Sequence, residues 1–562
     1  MAGGDGRSLL RQRATVAQPG DIGAGGPTVQ HVTTRRRDTI PGRLIRLFSI
    51  LAGLSVASAA QAADLRVGTT GTPNLDPHFL LLDTSIAYNQ HIYGALTDID
   101  QFGKLHADLA ESWTSDGGNV WRFNLRRGVT FHDGTPFTAD DVVFSLGRVP
   151  NVPNNPAPYT SYILGVTEVR KVDDHTVELV TQQHHPMLPN QIAKLHMISK
   201  RAAEGVSTDD FNTGKAAIGT GPYRLVSYTG RDTLVLAPFR DYWGTKPEWD
   251  RVQFRVIAND AARVAALLAG DVDLIEAVPV RDAATLATRA GITVHQGSST
   301  RVMFVGVNLT DKSGQQAGPG DNRNPLLDAR VRHAMSLAMN RDGMNQSLLN
   351  GYGRIASQIG VAGITGNVDD AQPDPLNLEE AKALLQQAGY PSGFATTLTC
   401  TNDRYVADAQ VCQTVGQLLA RIGIRVDVQA IPASVYFGRI RPGNNPSPLF
   451  LGAWSNTMGD ANYTLAAMFH TRDTERKLGA SNRTGWSDAE TDRNIEAAIA
   501  EPDPAKRVAF LQAAGRRAID ARVAIPLFSA PVLYASRTNI TYDSGTAGSS
   551  EMTAAMRAHL RN

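Results

Sequence analysis

The sequence predicts an α/β protein of more than one domain, and three observations carry that expectation. Its 562 residues, 42% hydrophobic and 19% charged, have an ordinary globular composition and enough length for two or more domains. Strand-like 395–399, helix-like 407–422 and strand-like 425–430 follow one another as a βαβ unit, the mark of a sheet covered by helices. Residues 107–149 read otherwise, as strand, strand and capped helix.

Residues 1–34 are Gly-rich and lack apolar periodicity, so they read as disordered or as a start placed too far upstream. Arg35, Arg36, Arg37, Arg43 and Arg46 then precede an apolar run over 47–59, and Ala60-Gln61-Ala62 obeys the small-x-small rule for cleavage. Residues 35–62 are therefore a signal peptide, too short and wrongly flanked for a membrane span. No cysteine follows the cleavage point, so a free periplasmic protein without a lipid anchor is expected. Removing the leader's excess of five positive charges takes the formal net charge from +1 to about −4. That balance offers no basic excess for nucleic acid. Cys400 and Cys412 are the only cysteines; they form a disulfide or sit as two buried thiols.

In the mature chain, residues 64–68 read as a first strand, 69–77 as a loop with Gly71, Pro73 and Pro77, and 85–96 as a helix with Tyr93 and Leu96 in its core. Trp121, Phe123 and Leu125 alternate with polar residues, so the aromatics share one face of a strand. Gly128 turns the chain, Val129 and Phe131 resume the apolar face as a hairpin, and Asp133-Gly134 turns it again. Thr138 caps a helix with Asp140 and Asp141 in its first turn and Val142, Leu146 and Val149 on one face. A second hairpin joins 166–171 to 176–181 through Asp173-Asp174. Further on, 233–237 and 301–309 read as strands and 260–269 as an amphipathic helix. The polar loop 314–324 reads as a lobe junction, and 328–339 and 379–388 as helices. The apolar strand 449–454 ends at a loop over 455–460, helix 503–521 follows, and strand 523–528 returns to the first lobe. Three chain crossings between lobes are expected to form a hinge.

The runs Leu109-Ala110-Glu111-Ser112-Trp113, Leu125-Arg126-Arg127-Gly128-Val129, Phe131-His132-Asp133-Gly134 and Thr138-Ala139-Asp140-Asp141-Val142 match, in order and spacing, the signature of the family 5 extracytoplasmic solute-binding proteins. Gly219-Thr220-Gly221-Pro222-Tyr223 and Asp241-Tyr242-Trp243-Gly244 resemble the family's later signatures. The resemblance implies a two-lobed periplasmic-binding-protein fold of the large peptide-receptor type, with an additional smaller α+β domain. Lobe I would then take 63–106 and 217–300, the extra domain 107–216, lobe II 301–522, and the return and tail 523–562. It also implies the function: a monomer that closes over a small peptide or peptide-like solute and passes it to an inner-membrane ABC permease and ATPase complex, without a cofactor.

In the dipeptide receptors that the chain resembles, an acid three positions after a tryptophan holds the ligand's ammonium, and an arginine before the preceding helix holds its carboxylate. Trp454 matches the tryptophan, Thr457 occupies the acidic position, and Asp460 is the nearby acid. Arg404 falls close to the arginine, and bidentate pairing suits a guanidinium to a carboxylate. Thr69, Thr72 and Asn308 complete the candidates. A nickel-chelate receptor of the same family is the alternative, needing His184, His185 or His470 at the cleft. A periplasmic peptidase is the rival of another class, but the chain has no His-Glu-x-x-His, no Gly-x-Ser-x-Gly and no Cys/His set with ligand spacing.

Overall fold

Alternating burial makes Asp64–Thr69 a strand: Leu65 and Val67 face the core, and the strand pairs in parallel with Arg251–Val256 and Leu274–Ile275. The computed structural model describes residues 63–100, 104–155, 159–310, 315, 324–361, 363–456, 458–545 and 555–561. The leader assigned to 1–62, and Thr457, lie outside these residues. Among the described residues, one sheet of 11 strands runs through both lobes.

In the second lobe Ala395–Thr401 pairs in parallel with Arg425–Ile431 on one side and Leu449–Ser455 on the other, and the helix Asp408–Ala420 makes the crossover. Val411, Val415 and Leu419 of that helix bury against Leu398 and Leu449. Cys400 and Cys412 form a disulfide between strand and helix, with Cα atoms 6.6 Å apart.

The lobes are joined by two long antiparallel strands, Ile292–Val307 and Ala524–Arg537. Residues 292–298 pair with 531–537 in the first lobe, and 302–306 pair with 524–529 in the second. Between the two stretches the register slips, from Ser298 to Val302. Two crossings in mid-sheet thus replace the three expected. The run 314–324, read from sequence as a lobe junction, lies outside the described residues except at Gln315 and Asn324, while Val307 before it and Leu326 after it enter the same second-lobe core.

The small domain is a four-stranded antiparallel sheet in the order Ala110–Ser115, Val120–Leu125, Thr176–Thr181, Val166–Asp173. Both edges of Val120–Leu125 are occupied, so the hairpin expected with Val129 and Phe131 does not form. Those two side chains are buried all the same, and the turn closes locally, with the Phe131 N–H donating to Thr135 O at 2.8 Å. Asp141 accepts from the Thr138 N–H at 2.9 Å and so fixes the start of helix Ala139–Arg148. The domain's core closes at Met197. Helices Lys200–Ala203 and Thr208–Asn212, assigned to it from sequence, instead place Ala203 and Phe211 in the first-lobe core.

Further on, Gly219–Gly221 packs against the end of helix Asp83–Ile92. Gly221 N–H donates to Ile92 O at 2.9 Å, and a Cβ on Gly219 would lie 2.0 Å from that oxygen. His132 braces the same turn: its Nδ1 accepts from Gly219 N–H at 3.4 Å and its Nε2 donates to Gly221 O at 3.0 Å. His132 therefore joins two signatures that lie about ninety residues apart, whereas Asp133 makes the local turn to Thr135 expected of it.

Candidate functional site

Strands Ala395–Thr401 and Leu449–Ser455 run parallel, so the loops leaving their carboxyl ends open on one side of the sheet, where α/β sheets take ligands. Arg301 pairs in register with Ser455, within the stretch where the crossing strand slips. The candidate wall therefore stands beside the bend between the lobes.

The loop after the first strand is shaped by Asp408. Its carboxylate accepts from the Thr401 hydroxyl at 2.6 Å and from the backbone N–H groups of Arg404 and Tyr405 at 3.0 and 3.1 Å. Asp403 turns the other way and caps helix Ala433–Arg439 through the Ala433 N–H at 2.8 Å. Arg404 is left exposed, without an ion pair among the described residues, its guanidinium 5.8 Å from the centre of the Tyr405 ring.

Trp454 ends the second strand half-buried. Its indole N–H donates to the Thr464 hydroxyl at 3.0 Å, and its ring lies 5.3 Å from that of Tyr463. With its polar edge engaged, only ring surface is left to offer a ligand. Tyr405, Tyr436, Trp454 and Arg483 line a slot of about 30 Å³. Burial pushes the Tyr405 phenol up, while Arg404, Arg301 and Arg483 pull it down, so three guanidinium groups bear on one ring. Burial likewise lowers Arg483. The wall is cationic and aromatic, suited to an anion with a planar head.

The other sequence candidates sit elsewhere. Asp460 is buried and paired through both oxygens with Arg507, at 2.7 and 2.8 Å, so its charge is already matched inside the protein. Thr69 is buried with its hydroxyl 2.7 Å from that of Tyr88, because it ends the central strand facing inward. Asn308 is buried, donating to Asn445 O at 2.7 Å and Ser447 O at 3.1 Å and accepting from Thr310. Thr72 is exposed on the first-lobe loop. The structure thus brings together Trp454 and Arg404, through Tyr405, and adds Arg483, Tyr436 and Arg301, which sequence reasoning missed. Arg483 sits in the run Asn482-Arg483-Thr484-Gly485, where only its lack of an acidic neighbour could have drawn notice.

The histidines of the metal alternative are engaged. His184 Nδ1 lies 2.7 Å from Gly118 O, His185 Nε2 lies 2.7 Å from Gln191 Oε1, and buried His470 has its Nε2 3.0 Å from Glu496 Oε1. No group of three His, Cys, Asp or Glu among the described residues could hold a metal ion. A separate cleft of about 670 Å³ opens between the small domain, at His184 and Asn190, and the second lobe, at Thr365 and Arg507. Asn190 Nδ2 donates to Met458 O at 3.1 Å, joining the two.

Residues 104–476, about two thirds of the chain, match the family model described as bacterial extracellular solute-binding proteins, family 5 middle region. Among curated proteins the chain is similar to the glutathione-binding protein GsiB of Shigella dysenteriae serotype 1, 29% identical over 87% of this chain and 92% of the relative. GsiB of Escherichia coli K12 is 28% identical with the same coverage. Among solved structures, HbpA2 from Haemophilus parasuis aligns with a TM-score of 0.78 at 22% identity, covering 89% of this chain and all of the other. DppA from Helicobacter pylori in complex with the peptide STSA aligns with a TM-score of 0.68 at 21% identity, covering 89% and 99%. These structures share the two-lobed fold. No helix of the described residues is long and apolar enough to cross a membrane.

Proposed function

The chain belongs to the bacterial extracellular solute-binding proteins of family 5, the binding components of ABC importers, and from that premise we propose that it captures a small carboxylate-bearing peptide in the periplasm. It acts as a monomer, shuts its lobes over the solute and hands it to an inner-membrane permease and its ATPase. The observation that carries the ligand class is the wall at the strand ends: Arg404, exposed and without an ion pair among the described residues, beside Tyr405 and Trp454. A guanidinium held by backbone geometry at a cleft mouth pairs a carboxylate bidentately, and the rings shelter that pair from water. The peptide backbone is met by strand-like pairing, which is indifferent to side chains. Glutathione, for which the curated relatives are named, is a peptide with two carboxylates and is the first probe.

The protein binds and does not cleave. Metal hydrolysis and nickel-chelate binding are disfavoured by the histidines, whose ring nitrogens already lie against Gly118, Gln191 and Glu496.

The test is incubation with a tripeptide pool containing glutathione, followed by mass spectrometry of what the protein retains and releases. Intact retained peptides support the receptor, and cleaved ones overturn it. Arg404→Ala is expected to weaken binding of the retained peptide more than tenfold by calorimetry; unchanged affinity removes Arg404 from the site.

A further inference from the structure

Among the described residues three arginines keep an unpartnered guanidinium nitrogen, Arg483, Arg507 and Arg557, whereas the other buried arginines are saturated. Arg263 donates to the carbonyls of Ile257, Glu276 and Ala277 and to Asp260. Arg332 donates to those of Leu326, Leu327 and Ala521, and Arg341 to those of Pro526 and Asp374 and to Ser336. Arg507 has the Asp460 carboxylate. Arg483 differs. It is half-buried and lines the slot beside Trp454, its Nε lacks a hydrogen-bond partner, and among the described residues its guanidinium's one hydrogen bond is a 3.5 Å contact to Ser481 O. Among the described residues it forms no ion pair.

A guanidinium withdrawn from water without a counter-charge or a full set of acceptors is unfavourable. A cation kept in that condition beside a cavity is explained when its partner arrives from outside. The slot it lines holds about 30 Å³, room for about two waters. That is the size of a carboxylate head and too small for a whole residue. Its walls are the rings of Tyr405 and Tyr436, whose phenols burial pushes up, so both stay neutral and neither supplies a counter-charge.

We propose that Arg483 anchors a ligand carboxylate inside the slot, separate from the one met by Arg404 at the rim, so that the preferred solute is a peptide with two carboxylates. This rests on the reading of the protein as a peptide receptor and names the substrate class of that site. The second carboxylate is either a side-chain group or the chain terminus, since both present the same planar head.

The experiment uses the mature protein with the tripeptide pool in four forms: with or without Asp and Glu, each as free acid and as C-terminal amide. Wild type is expected to enrich peptides with two carboxylates at least tenfold over those with one, and comparison of the arms identifies which carboxylate Arg483 takes. Arg483→Gln is expected to lose that enrichment, so that peptides with two carboxylates and with one are retained alike. An enrichment that survives Arg483→Gln overturns the assignment. Should Arg483→Gln fail to fold, Arg483→Lys decides, because an ammonium cannot pair both oxygens in plane: reduced enrichment supports the proposal and full enrichment overturns it. If wild type retains no peptide in any form, the receptor reading itself fails and the proposal falls with it; if wild type retains peptides without regard to charge, the proposal alone fails.

Discussion

Asp460 and Arg507 meet through two hydrogen bonds of 2.7 and 2.8 Å, both residues buried, and the same carboxylate accepts the Asn462 N–H at 2.8 Å to start helix Ala461–Thr464. An acid that sequence offered as the ligand's charge partner is instead the fixed end of the loop after Trp454. Removing one member leaves the other charged and buried, so Arg507→Met should destabilise the protein by roughly 3–5 kcal/mol. Asp460→Asn/Arg507→Met together should cost less than the sum of the singles, in a thermal or urea melt. Peptide selectivity measured below the melting point should not change; a change would return Asp460 to the site.

The error and the success in that region have the same origin. The order strand, helix, strand over 395–431 was legible because apolar period and helix-forming runs are local properties, and the parallel pairing of Ala395–Thr401 with Arg425–Ile431 followed from them. The partner of Asp460 lies 47 residues away on another helix, and no local pattern reports it. The same holds for Arg483, whose neighbours Tyr405, Tyr436 and Trp454 come from a loop, a helix and a strand. The slip between Ser298 and Val302 was invisible because it is set by pairing with strand Ala524–Arg537, far away in the sequence, and no local pattern reports it.

Gly219 packs against the end of helix Asp83–Ile92, and an added Cβ would sit 2.0 Å from the Ile92 carbonyl oxygen. Backbone cannot yield there without breaking the Gly221 to Ile92 hydrogen bond of 2.9 Å. Gly219→Ala should therefore lose about 3 kcal/mol or more, in the range of overpacked cores and strained sites. Its yield of soluble protein should fall sharply, whereas Gly128→Ala, with open space around the Cβ though at positive φ, should cost only about 1 kcal/mol by denaturant melt.

Burial lowers His78 and His91 to about 4 and His196 to about 3; His78 and His196 meet where the first lobe joins the small domain, and His91 packs on Phe254 and Tyr223 in the first-lobe core. The unfolded chain takes up these protons near pH 6.5, so between 6.5 and about 4 it binds more protons than the folded one. The stability these neutral rings contribute is present above 6.5 and lost as pH falls toward 4, on the order of 1–3 kcal/mol each. Asp76 adds a later loss. Burial alone would raise it, but Arg148, paired at 2.7 Å, holds it below its ordinary value, so its contribution goes only as pH falls through the folded pKa. Melting temperature should drop between pH 7 and pH 4.5, and hydrogen exchange should show the seam opening before the second-lobe sheet. A flat profile over that range would mean that these rings are solvated.

The Cys400–Cys412 bridge closes a loop of 12 residues between strand and helix in the second-lobe core. Loop-closure entropy sets its contribution at roughly 2–3 kcal/mol. Reduction, or Cys400→Ala with Cys412→Ala, should lower the melting temperature by several degrees while leaving the first lobe's exchange unchanged. Mass spectrometry of the alkylated native protein should find no labelled thiol.

Closure needs a place in the chain that bends at low cost, and the two crossing strands show where it is. Ser298 pairs with Pro531 and Val302 with Ser529, so three residues, 299–301, oppose the single Ala530. The ladder is broken there, and Pro531 and Pro526 bring no N–H to it on either side. Ser299 fills part of the gap by accepting the Arg301 N–H on its own hydroxyl at 2.9 Å, a bond within the bulge that survives rotation of one lobe on the other. Arg301 rides on this bend and bears electrostatically on Tyr405, so closure is expected to shift the cationic wall. Amides at 299–301 should then exchange with solvent faster than those at 303–307 in the same strand, and bound peptide should slow them. Solution scattering should show contraction on adding that peptide. Equal protection along the whole of Ile292–Val307 would place the bend elsewhere, and slowed exchange at 303–307 without change at 299–301 would separate ligand capture from the hinge.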